Sequence, residues 1–306
     1  MPSSLVTKIN KEDKIALSQA ITIIENRLPE YNNILSDAYS IRKSVQKIGI
    51  TGPPGAGKST ITNKLCKKYL KQNKRIAIIC VDPSSPFNGG AILGDRIRMK
   101  DIHMSDNIFI RSVASRGNPG GLADCISDID ILLEAFGFDL IIYETVGVGQ
   151  IELDVIDYCD SIVLVITPES GDDIQMMKAG LIECANIIAI NKSDRPGSSK
   201  LNTFLTQYLD IGKTRQWFSI LNLVAIESKG VNLLKEKIEE HYRFLVSSNT
   251  KREKDNEKYK KAITEIAKKH LLGNFLNKDR EILINRELLK ENHLRLSPYN
   301  LFQKIK

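Results

Sequence analysis

The sequence predicts an α/β fold with a mainly parallel central sheet flanked by helices, and three patterns predict it. Short, near-continuous apolar runs rich in β-branched residues recur from residue 46 onward: Lys47 to Thr51, Arg75 to Val81, Ile108 to Val113, Leu140 to Tyr143, Ser161 to Thr167, Ile187 to Ile190 and Leu221 to Ala225. Helical stretches separate these runs, and strands without polar alternation are buried on both faces, the mark of a parallel sheet with helical crossovers. The first run passes directly into a Gly/Pro-rich turn and then a helix, which directs attention to the loops after the C-terminal strand ends as the place for a ligand.

The elements fall into three stretches. Residues 1–44 read as an N-terminal helical preface: Ile15, Ala16, Ala20, Ile23 and Ile24, then Ile34, Ala38 and Ile41, recur at helical spacing, with Asn10 as the expected N-cap. Residues 45–248 carry the strand and helix alternation. Residues 249–306 contain no strand signal and read as a helical arm of two or three amphipathic helices, over about 252 to 272, 278 to 292 and 298 to 305.

Composition narrows the function classes. With 306 residues, 42% of them hydrophobic, the chain is long enough to bury a full core. No apolar stretch approaches the roughly 18 to 20 residues that cross a bilayer, and Met1 to Asn10 lack the apolar centre of a secretory signal, so a cytoplasmic protein without membrane attachment is expected. The formal net charge is +7, yet residues 251–306 hold 15 Lys/Arg against 8 Asp/Glu while the rest of the chain is balanced. In that arm the signs alternate, as in Lys251-Arg252-Glu253-Lys254-Asp255, which fits a solvated helix face and argues against nucleic-acid binding. The five cysteines lie in apolar contexts without a C-x-x-C pair and are expected to be reduced core residues. The four histidines share no metal-ligand spacing.

Three motifs carry chemistry. Gly52-Pro53-Pro54-Gly55-Ala56-Gly57-Lys58-Ser59-Thr60 fits G-x-x-x-x-G-K-[ST] between a strand and a helix, the context the phosphate loop (P-loop) of an NTPase requires. There, backbone N–H groups wrap a polyphosphate, Lys58 supplies a cation for the β/γ oxygens, the Ser59 hydroxyl ligates Mg²⁺, and the helix adds its positive end. Asn191-Lys192-Ser193-Asp194 follows the strand Ile187 to Ile190 and fits N-K-x-D. Asp194 can accept from guanine N1–H and its 2-amino group, the Lys192 stem covers the base, and Asn191 ties the loop to the phosphate loop. Adenine would leave that carboxylate unsatisfied, so GTP/GDP is the expected nucleotide. Ala225-Ile226-Glu227 is a weaker partner whose backbone meets guanine O6. The third motif, Asp139 to Gln150, is an apolar strand ending in Glu144 and then a glycine-rich turn. Glu144 is expected to hold Mg²⁺ through water, and the Gly147 amide to sense the terminal phosphate. Between residues 81 and 101 the chain is too rich in Gly, Pro and Ser for regular structure. Asp82 and Asp95 are candidates for the metal shell or the attacking water, and Arg96 and Arg98 for neutralising phosphate charge.

Together, GPPGAGKST, VDPSSPFNGGAILGDRIRM, ETVGVGQIELDV, PESGDDIQMMKAG and NKSD resemble the methylmalonyl-CoA mutase-associated GTPase family, also known as arginine/ornithine transport kinases. The resemblance covers most of the chain and implies a homodimeric SIMIBI-class GTPase whose arm dimerises. In that family GTP binding and hydrolysis gate delivery of adenosylcobalamin to a cobalamin-dependent acyl-CoA mutase and removal of damaged cofactor. It also implies that Gly171 to Lys178 form a switch segment coupling nucleotide state to the mutase, with Lys178 as the charged contact. This chain departs from the pattern at Pro53, usually Thr, at Gln175 to Ala179, and at a base loop without the usual serine-alanine start. Two other readings remain: a nickel-insertion GTPase, which needs a Cys/His relay not visible here, and an ATP-dependent kinase of an amino-acid transport system, against which Asp194 argues.

Overall fold

The computed structural model describes residues 3–82, 102, 105–114, 121–145, 158–169, 180–211, 217–291 and 294–306. The chain divides into two compact units, Met1–Ser247 and Ser248–Lys306. In the first unit, seven strands form one sheet: β1 (Gln46–Thr51), β2 (Ile76–Asp82), β3 (Ile108–Ala114), β4 (Leu140–Thr145), β5 (Ser161–Ile166), β6 (Ile187–Ile190) and β7 (Ser219–Asn222). Their order is β3-β2-β4-β1-β5-β6-β7, and every pairing is parallel. The chain thus leaves β1 to one side for β2 and β3 and, after β4, passes β1 to build β5, β6 and β7 on the other. This reversal makes the C-terminal tip of β1 the switch point where a ligand crevice opens.

Alternate residues of each strand face two separate cores. Ile48, Ile50, Ile78 and Val163 pack with α4 (Lys58–Leu70), while Ala77, Ile79, Ile141 and Leu164 pack with the N-terminal helices and α5 (Gly121–Phe136). Helices on both faces explain why the strand sequences lack polar alternation. Beneath the second face, Lys47 forms ion pairs with Asp130 and Glu134 at 2.7 and 2.9 Å, and Glu134 also accepts from Arg42. Burial alone would lower the Lys47 pKa, but Asp130 and Glu134 outweigh it and hold Lys47 as a cation. This cluster ties the root of β1 to α5.

The N-terminal preface comprises α1 (Ser4–Ile9), α2 (Lys14–Glu25) and α3 (Tyr31–Ile41). Asn10 does not cap α2, as the sequence suggested; it ends α1. The Asp13 carboxylate accepts from the Ile15 and Ala16 amides and fills the N-cap role. Asp13 is adjacent to the first turn, whereas Asn10 is too far upstream to reach its amides. None of the five cysteines is in a disulfide; Cys184, at the end of the short helix α6 (Leu181–Cys184), is exposed rather than in the core. Two further helices among the described residues of this unit are α7 (Ser198–Ile211) and α8 (Val231–Ser247).

The second unit holds α9 (Thr250–Phe275), α10 (Lys278–Leu288) and α11 (Pro298–Ile305). Arg280 joins them, donating to the carbonyls of Phe275, Ile305 and Lys306. Among the described residues no helix is long and apolar enough to cross a membrane.

Candidate functional site

The phosphate loop forms where β1 ends. Gly52 adopts φ 140°, and a Cβ built there would lie 2.0 Å from the Val165 carbonyl oxygen of β5. Gly57 caps α4 at φ 96°, and a Cβ there would lie 2.3 Å from the Asn191 amide nitrogen. Only glycine accommodates both the dihedral and the close approach. Gly52→Ala is therefore expected to lower stability by about 2–4 kcal/mol, read as a lowered Tm in thermal unfolding.

Lys58 is the first residue of α4 and only 8% exposed. Its Nζ donates to the carbonyls of Gly52 at 2.6 Å and Pro53 at 3.0 Å, so the cation lies folded over the loop that the helix N-terminus faces. The neighbouring Ser59 hydroxyl donates to Glu144 Oε1 at 2.5 Å. Glu144 is the penultimate residue of the apolar strand β4 and is 3% exposed. A hydroxyl and a carboxylate held side by side form a hard-oxygen donor set of the kind Mg²⁺ takes.

Asn191 joins this loop to a second one. Its Nδ2 donates to the Ala56 carbonyl at 2.8 Å, and its Oδ1 accepts from the Ala225 amide at 3.0 Å. One buried side chain thereby fixes the phosphate loop, the Asn191-to-Asp194 loop and the turn Ala225–Glu227 against each other. The Ser193 amide and hydroxyl both donate to the Leu223 carbonyl at 3.0 Å, tying the Asn191-to-Asp194 loop to the chain just before that turn. Lys192 takes φ 55°, which turns the chain so that Asp194 is exposed. The cations flanking Asp194 have carboxylates of their own: Arg195 pairs with both oxygens of Glu169, and Lys229 pairs with Glu227 at 2.6 Å. The hydrogen bond to Arg195 holds the Glu169 carboxyl below its usual range, and the one to Glu227 raises Lys229.

The family model described as methylmalonyl Co-A mutase-associated GTPase MeaB matches residues 17–280. The chain belongs to the MeaB family. Among relatives, a Pyrococcus horikoshii protein named as a GTPase is 43% identical over 256 residues, covering 82% of this chain and 80% of that one. GTPase ArgK of Escherichia coli is 31% identical over 309 residues, covering 96% and 92%. The mouse methylmalonic aciduria type A homolog, a mitochondrial protein, is 36% identical over 204 residues, covering 62% of this chain and 49% of its own length. A crystal structure of an LAO/AO transport system kinase superposes with a TM-score of 0.70 at 24% identity, covering 98% of this chain and 95% of that one, and shares the fold.

As a MeaB-family GTPase, this chain binds guanine nucleotide. The residues singled out from the sequence divide as follows. Gly52 to Thr60, Glu144, Asn191, Lys192, Asp194 and Ala225 to Glu227 lie within the described residues, at or beside the C-terminal ends of β1, β4, β6 and β7. Asp82 ends β2, and its side chain is not described. Asp95, Arg96, Arg98, Gly147 and Lys178 lie outside the described residues. Strand β7 stops at Asn222, not Ala225, so Ala225–Glu227 is a 3₁₀ turn with Ala225 buried and Ile226 79% exposed. The sequence reading missed Ser193, the middle residue of N-K-x-D, and the two flanking ion pairs. A serine at that position, able to bond its own loop, was the available signal. Among the described residues no group of three or more His, Cys, Asp and Glu is placed to hold a metal ion.

Proposed function

We propose that this GTPase couples GTP binding and hydrolysis at one pocket to the loading and protection of a cobalamin-dependent acyl-CoA mutase. The observation that carries the nucleotide reading is the Asn191 bridge, which joins the phosphate loop to the base loop so that one nucleotide can span both. In this reading the amides of Gly52 to Thr60 cradle the phosphates, and Lys58 swings from the loop carbonyls to the β/γ oxygens. Ser59 and Glu144, with Asp82 and Asp95, would hold Mg²⁺, which would neutralise charge on the phosphate oxygens. Asp194 accepts from the guanine edge while Lys192 and Ile226 cover its faces and the Ala225 to Glu227 backbone meets O6. Gly147 senses the terminal phosphate, and Lys178 carries the state of the site to the mutase.

The mutase assignment is supported by the family's description and by the name of the mouse relative. The acceptor test is direct: purified protein with a non-hydrolysable GTP analogue and Mg²⁺ retains a cobalamin-dependent acyl-CoA mutase on a pull-down resin, and the GDP form retains less. Equal turnover of Mg·GTP and Mg·ATP, or no mutase retained in either state, counts against the reading.

A cytoplasmic homodimer belongs to the same proposal. The arm leaves Ile266, Leu271, Leu272, Leu289 and Tyr299 more than half exposed, an apolar load that a second copy would cover. Sedimentation equilibrium of the full chain is expected to give twice the 34.4 kDa chain mass, and a chain ending at Ser247 is expected to run as a monomer.

A further inference from the structure

Parallel strands share a backbone ladder until their chains diverge, and at the head of the nucleotide site they diverge abruptly. The β1–β4 ladder runs from Gln46 opposite Leu140 to Ile50 opposite Glu144 and ends there. One residue later Thr51 is in register with Leu164 of β5, and Thr145 with Val81 of β2. Where the next β1–β4 rung would fall, the Thr145 hydroxyl donates to the Thr51 hydroxyl at 3.0 Å. Both residues are buried, at 1% and 2% exposure.

The flanking residues give this bond its significance. Thr51 immediately precedes Gly52, the tightly packed start of the phosphate loop, and Thr145 immediately follows Glu144, the acceptor for Ser59. We propose that Thr51 and Thr145 are positioning residues for GTP hydrolysis: their side-chain rung sets the phosphate loop against the Glu144 strand in the absence of a backbone rung. The β-branched threonine has few χ1 choices, so its hydroxyl is held in place. A shift of about 1 Å between groups that must converge on one phosphate is enough to cost a large factor in rate. The proposal rests on this pocket being the hydrolysis site.

The test uses the full chain and compares Thr51→Val, Thr145→Val, the paired substitution and Thr145→Ser in steady-state GTP hydrolysis, GDP binding and thermal unfolding. Valine keeps the shape but leaves the partner hydroxyl without its bond, whereas the pair removes both hydroxyls. Each single valine variant is expected to lower kcat about tenfold, with KM and GDP affinity within about threefold of the unsubstituted protein. In the pair, Tm recovers because no buried hydroxyl is left unmatched, while kcat stays low. Thr145→Ser keeps the donor and is expected to keep kcat within about threefold. If kcat climbs back with Tm in the pair, or the single valine variants hydrolyse GTP at the normal rate, the rung is packing alone and the proposal is overturned. Should the valine variants not fold, Thr145→Ser against Thr145→Cys carries the same comparison, since a thiol is a weak donor: equal kcat in the two rejects the rung. Lys58→Ala run in parallel separates the two levels, because unchanged turnover in that variant rejects the pocket itself.

Discussion

Lys58→Ala is expected to abolish measurable GTP hydrolysis. The side chain sits at the first turn of α4, buried, and donates to the Gly52 and Pro53 carbonyls. Its removal takes a cation from the transferring phosphate and also two hydrogen bonds from the loop that shapes the site. Removing one preorganised donor at a reacting centre costs about 10²–10³ in kcat, and loss of the loop's order adds to that. Lys58→Arg is expected to fail as well, since a planar fork does not reproduce a point charge on a flexible stem. Phosphate release under single-turnover conditions reads both variants, and turnover within tenfold of the unsubstituted protein would contradict the assigned role of Lys58.

The second large effect is on base choice. Asp194→Asn is expected to weaken GDP binding by about 10²-fold while improving that of XDP, whose 2-oxo group accepts from the new amide. The reason lies in what the carboxylate can do. It offers acceptors to two guanine donors, and an amide offers one acceptor and a clashing donor. Its neighbours leave it available for this, because Arg195 is engaged by Glu169 and Lys229 by Glu227. Competition of GDP, XDP and ADP for a fluorescent guanine nucleotide measures the change. Unaltered preference in the variant would mean that the base is read elsewhere.

How much of this could be read beforehand follows a physical pattern. Strands β1 to β6 were legible because each holds an apolar run rich in β-branched residues, of the length a buried parallel strand needs. The phosphate loop was legible because its function constrains consecutive residues. The end of β7 was not: Leu223, Val224 and Ala225 continue the apolar run and are buried, yet Val224 bonds to Lys229 and Ala225 to Asn191, so the chain turns. Periodicity reports burial and is silent on where the amides go. The cap of α2 fell to Asp13 over Asn10 for a similar reason, both being good capping residues within one short loop. Contacts between loops distant in sequence were the least visible. The Glu169–Arg195 pair and the Thr51–Thr145 rung each depend on strand order, and strand order is set by packing of the whole sheet.

The central claim is that a single nucleotide is gripped by its phosphates at Lys58 and read by its base at Asp194. A crystal structure of the full chain with Mg·GDP tests it most directly. One GDP is expected, with its β-phosphate within hydrogen-bond reach of Lys58 Nζ and the Gly55-to-Ser59 amides, and its guanine N1 and 2-amino groups on the Asp194 carboxylate. A GDP whose base lies away from Asn191 to Asp194, or one bound without contact to Lys58, would contradict it.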